Sequence, residues 1–180
     1  MLTYSDIIKF WFEEITPQQW WVKDATFDCM LTERFQATLN SAIQGELYLW
    51  RQSALGRLAE VLVLDQFSRN IYRDEARAFL ADPLALALAQ EAVHQGADTD
   101  MSLEQQKFIY MPFMHSESLI IHEQAVELFS KPGLEDNLAF EQKHKKIIER
   151  FGRYPHRNSI LGRASTPEEL AFLSEPGSSF

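Results

Sequence analysis

Apolar positions recur along this chain at helical spacing, and nowhere do they alternate in strand fashion between hairpin turns. Helices are expected at about 5–14, 25–44, 54–69, 103–111, 117–129, 136–151 and 167–173. The clearest element follows Asp82-Pro83, where an N-cap and a proline at the first helical position lead into LALALAQEAVHQ and a terminal Gly96. Ser102-Leu-Glu-Gln105 and Thr166-Pro-Glu-Glu169 fit the capping box, in which the two side chains satisfy each other's free N–H groups. Pro112 lacks a donor and presses on the carbonyl of Phe108, so a break or kink is expected there, with MPFMHSES at the junction. Within RLAEVLVLDQF, residues Leu58, Ala59, Val61, Leu62, Val63 and Leu64 leave no polar face, which marks a central, buried helix.

Connections are short, and no Gly/Ser-rich or Pro-rich linker divides the chain. The expectation is one all-α domain over 1–180, built from stacked helical hairpins as a bundle or short solenoid. The tetratricopeptide spacing of Trp, Leu-Gly and Tyr is not met in any 34-residue window, so periodicity alone does not show a superhelix.

Composition narrows the class. With 46% hydrophobic residues, 24% charged, 13 Phe and 4 Trp, the chain has the balance of a globular protein with an aromatic core. Cys29 is the only cysteine, which rules out an internal disulfide and a thiol cluster for zinc and fits a reducing cytoplasmic setting. MLTYSDIIKFWFEEI has neither the basic start nor the small-residue cleavage site of a secretory signal, and no stretch is apolar enough to span a membrane. A net charge of −9 argues against nucleic acid as a partner.

Charge is distributed unevenly. From Lys143 to Arg163 seven Lys and Arg stand against one acid, Glu149. A basic island in an acidic chain is a candidate site for an anionic group. Its loop, FGRYPHRN, presents Arg153, His156, Arg157 and Asn158 after a helix that Gly152 can end. The same arginines can instead tie stray carbonyls at the helix end. A second polar cluster follows the buried run: Asp65, Gln66, Arg69, Asn70 and Arg73, with Asp65 and Arg69 on one face at i,i+4. Either Asp65 and Arg69 form an ion pair that tethers the next loop, or Arg69 and Arg73 face a pocket with Asp65 holding one guanidinium. Arginine suits bidentate capture of carboxylate or phosphate.

His115, His122 and Phe129 share a helical face with Leu119 and Val126, and His144 lies on a stripe with Phe140, Ile148 and Phe151. Such histidines are either hydrogen-bonded core residues or, with His156 and Glu117, acid and base groups near neutral pH. Glu91-Ala-Val-His94 and Glu141-Gln-Lys-His144 have the spacing of bundle di-iron ligands, but the two partner carboxylates are not evident, so no metal or other cofactor is expected. Trp11, Trp20 and Trp21 read as packing anchors.

FWFEE (10–14), WW-x-KD (20–24), LDQFSRNIYRDEARAF (64–79), HSE (115–117) and HKKIIERFGRYPHRNSILGRASTPEELAFL (144–173) together resemble a bacterial family known as domain of unknown function family 924. The resemblance covers nearly the whole chain and implies a tetratricopeptide-like α–α superhelix. It implies no catalytic residue. The functional expectation is a pocket for a small anionic ligand gripped by Asp65, Arg69, Asn70, Arg73, Arg153, Arg157 and Asn158. His115, Glu117, His122, His144 and His156 are the acid/base candidates should chemistry follow. The alternative is a tetratricopeptide-like scaffold that binds a peptide or an acidic protein tail.

Overall fold

The structure, a computed structural model, describes residues 2–180 and contains no strand among them. Helix α1 (Tyr4–Lys9) widens into a π-helical stretch, Phe10–Glu14, and a 3-10 turn, Pro17–Trp20, leads to α2 (Ala25–Ile43). After a second 3-10 turn, Tyr48–Gln52, come α3 (Ala54–Leu62), a π-helical turn at Val63–Phe67 and α4 (Ser68–Ile71). The remainder is α5 (Asp82–His94), α6 (Leu103–Met114), α7 (Leu119–Phe129), α8 (Glu135–Phe151) and α9 (Pro167–Leu173), with 3-10 turns at Ala76–Phe79 and Pro155–Arg157.

Helix α3 is the hub, as its all-round apolarity demands: Leu58, Ala59, Val61 and Leu62, with Val63 and Leu64 of the turn that follows, are fully buried, and α1, α5 and α6 pack around it. Successive helices α5 to α8 each lie against the next, which buries one apolar face per pair. Aromatics fill the α1–α2–α3 junction, where the Phe35 ring lies 4.7 Å from Phe10 and 4.9 Å from Phe67. A smaller cluster of Ile147, Ile148 and Tyr154 forms under the basic loop.

Both capping boxes form as read: Ser102 with Gln105, and Thr166 with Glu169. Gly152 caps α8 with φ +68°, a backbone region that costs a side-chain-bearing residue. Four details depart from the expectation. The 54–69 helix is not regular but widens at Val63–Phe67, and such wide turns re-aim side chains and gather at functional sites. Helix α6 carries Pro112 inside and stops two residues beyond it, because every residue from Phe108 to Met114 is buried and packing holds the turn. Asp82 does not cap α5; Ala81 precedes the helix, and the Asp82 carboxylate pairs with Arg69. His115 ends α6 instead of joining the α7 stripe, and Phe140 is 56% exposed, so neither histidine stripe is uniform.

Candidate functional site

The wide turn after α3 places Asp65, only 1% exposed, where three groups from three elements meet it. Its Oδ1 lies 2.7 Å from Nδ1 of His115 at the end of α6. The Gln66 amide donates to Oδ2 at 2.6 Å, and Arg69 Nη1 lies 3.2 Å from Oδ1. Arg69 also donates in fork fashion to Asp82 at the start of α5, at 2.8 and 2.9 Å. Asp82 in turn receives Arg157 from the basic loop at a long 3.4 Å. Arg157 donates to the His115 carbonyl at 3.0 Å, and its guanidinium lies 4.6 Å over Phe79 and 4.7 Å over Tyr154. The basic loop and the 64–73 segment therefore meet through Asp82 and His115.

Burial opposes ionisation of Asp65, but His115 and Arg69 beside it, with the His115 and Gln66 hydrogen bonds, hold its carboxyl well below the usual range. Burial, aided by Arg69, pushes the His115 imidazole below its ordinary 6.5, against the pull of Asp65. Together these fix one tautomer near neutrality: Nδ1–H donates to the Asp65 carboxylate and Nε2 carries a lone pair. Among the described residues Nε2 has no hydrogen-bond partner, and it is not among the unpartnered atoms sealed from solvent. A buried carboxylate orienting an imidazole whose other nitrogen is open is the arrangement of a general base. Arg157 is buried, its Nε finds no partner, and burial followed by the charge of Arg69 lowers its pKa. It is a guanidinium with spare donor capacity.

Other expected site residues point elsewhere. Arg73 forks onto Asp28 at 2.5 and 2.8 Å and also donates to Asn70. Arg153 forks onto the buried Glu169 of α9 at 2.7 and 2.8 Å. Asn158 is fully buried between Ser165 and Arg163. Glu117 accepts both arms of Arg163 and the Tyr154 N–H. His122 bonds Glu141 at 2.6 Å and the Ser116 carbonyl at 2.8 Å inside the core. His144 Nδ1 lies 2.7 Å from the Phe140 carbonyl, and His156 leaves Nδ1 buried without a partner.

Sequence reasoning missed Asp82, Phe79 and Glu141. Asp82 precedes proline and looked like a cap, while Glu141 looked like half of a metal pair. Among the described residues no group of three or more His, Cys, Asp or Glu side chains is placed to hold a metal ion, and no helix is long and apolar enough to cross a membrane. Two surface depressions, one beside Val22 and Phe27 and one beside Ile8 and Leu55, include none of the Asp65–His115 residues.

No curated protein matches the sequence. The solved structure of a protein of unknown function from Agrobacterium tumefaciens is 40% identical, with a TM-score of 0.90 over 95% of this chain and 96% of that one. A match over residues 7–177 makes this chain a member of the family described as bacterial protein of unknown function, DUF924.

Proposed function

We propose that the cluster of Asp65, His115, Arg69, Asp82 and Arg157 binds a small anion, with His115 Nε2 as its acid/base group. The observation that carries the reading is the open Nε2 of an imidazole whose Nδ1 is fixed at 2.7 Å from a buried carboxylate. Arg157 supplies the anion's partner through its Nη1, whose contact to Asp82 is a long 3.4 Å, while its unpartnered Nε lies sealed from solvent. The two arginines are otherwise balanced by Asp65 and Asp82, so an arriving anion draws on Arg157 without stripping Arg69 from its fork.

The peptide-scaffold alternative draws less support. Arg150, Arg153 and Arg163 are engaged with Glu168, Glu169 and Glu117, which leaves the basic loop largely neutralised from within. A reducing cytoplasm suits the exposed, unpaired Cys29.

Thermal shift with inorganic phosphate, sulfate and acetate tests the proposal, because a ligand selective for the folded state stabilises by mass action. The expected result is a saturable rise in Tm above a chloride control of equal ionic strength, abolished in Arg157→Ala. A wild-type Tm that responds to none of the three beyond chloride overturns the proposal.

A further inference from the structure

Phe180 is 56% exposed and lies outside the main apolar core. Its ring nevertheless lies against three polar aromatics, with centroids 3.9 Å from His144, 4.6 Å from His156 and 5.4 Å from Tyr154. A ring walled by aromatics yet open to water is seated as a guest is seated, because a core ring would lose its exposure as well. Tyr154 forms the floor: it is fully buried and anchored by its hydroxyl to the Met114 carbonyl at 2.5 Å. Burial lowers the pKa of His144 to about 3 and of His156 to about 4, so at neutral pH both walls are uncharged π faces.

The seat adjoins the anion cluster. Arg157, 6% exposed, follows His156 in sequence and lies 4.7 Å from the Tyr154 ring centre. The buried atoms left without a partner at this junction are His156 Nδ1 and Arg157 Nε, and a buried unsatisfied group costs free energy that a ligand can recover.

We infer that Phe180 occupies, from within the chain, a receptor for the ring of a small aryl acid. The ring lies between His144, His156 and Tyr154, and the carboxylate or phosphate reaches Arg157. The anion half rests on the reading proposed above; the ring half stands on the aromatic geometry alone.

Phe180→Ala and Phe180→Trp separate the two halves, with phenylacetate, acetate and benzyl alcohol as calorimetric probes. Phe180 is exposed and outside the core, so both variants retain the fold, which circular dichroism checks. Removing the internal ring is expected to tighten phenylacetate about tenfold relative to wild type, the upper value of one aromatic pair. Acetate affinity stays unchanged, and Phe180→Trp weakens phenylacetate. Equal phenylacetate affinity in wild type and Phe180→Ala overturns the receptor, and persisting acetate binding then leaves the anion site standing. Benzyl alcohol binding to Phe180→Ala as tightly as phenylacetate, with no acetate binding, upholds the ring receptor and sinks the anion reading.

Discussion

Asp65 and Arg157 are both buried and charged, yet their surroundings foretell opposite outcomes on truncation. Asp65 accepts from His115, Gln66 and Arg69. Asp65→Ala strands the Gln66 amide and part of the Arg69 charge in the interior, and costs on the order of 3 kcal/mol. Arg157 leaves Nε unused and touches Asp82 only at 3.4 Å, while Asp82 keeps its fork from Arg69. What truncation loses at the His115 carbonyl and the Phe79 and Tyr154 rings is offset by removing a poorly compensated buried charge. Arg157→Ala is therefore expected to cost less than about 1 kcal/mol in urea denaturation. Equal losses from the two variants would mean that Arg157 is structural. Arg153 differs from Arg157 despite the shared loop, because its loss strands Glu169, which also caps α9. The i,i+4 pair of Asp65 and Arg69 was legible in the sequence because it is local. The Asp82 contacts span 13 and 75 residues, and no local pattern announces them.

At the scale of elements, what could be read were signals contained within one turn: both capping boxes, the Gly152 stop and the apolar girdle of α3. The widened turn at Val63–Phe67 was not legible, because each of its residues suits a regular helix and only packing selects the wider one. His115 was misplaced for a related reason: α6 runs past Pro112, which moves the histidine from the start of α7 to the end of α6. Gly56 shows how tightly α3 is seated. A Cβ there would overlap the Trp50 carbonyl of the preceding 3-10 turn, which is backbone and cannot rotate away. Gly56→Ala is expected to destabilise by at least about 2 kcal/mol, despite alanine's better helix propensity, through overpacking. Gly56→Ala as stable as wild type in urea would show that α3 and the Tyr48–Gln52 turn can separate at little cost.

For the whole molecule, the basic loop and core histidines make stability depend on pH in a direction opposite to that of a surface histidine gaining a carboxylate. Burial lowers His144 to about 3 and His156 to about 4 from 6.5, and His115 moves the same way. Between 6.5 and those values the unfolded chain binds protons that the native one refuses, so stability is full above pH 6.5 and drains as pH falls. Each fully titrating histidine contributes about 1.4 kcal/mol per pH unit in that window. Glu141 works against this, since burial raises its pKa above 4.5 and the native state holds that proton longer. Two histidines against one carboxylate still leave a net loss on the order of 1 kcal/mol between pH 6 and pH 5. Below pH 4.5 the depressed Glu169, held at about 2 by Arg153 and the Thr166 N–H, adds to the decline. Urea midpoints at pH 7.5, 6 and 5 are expected to fall in that order, and His144→Asn with His156→Asn to flatten the series. A wild-type midpoint that holds steady from pH 7.5 to 5 would mean that both imidazoles take up protons in the folded state, and the uncharged walls around Phe180 would go with it.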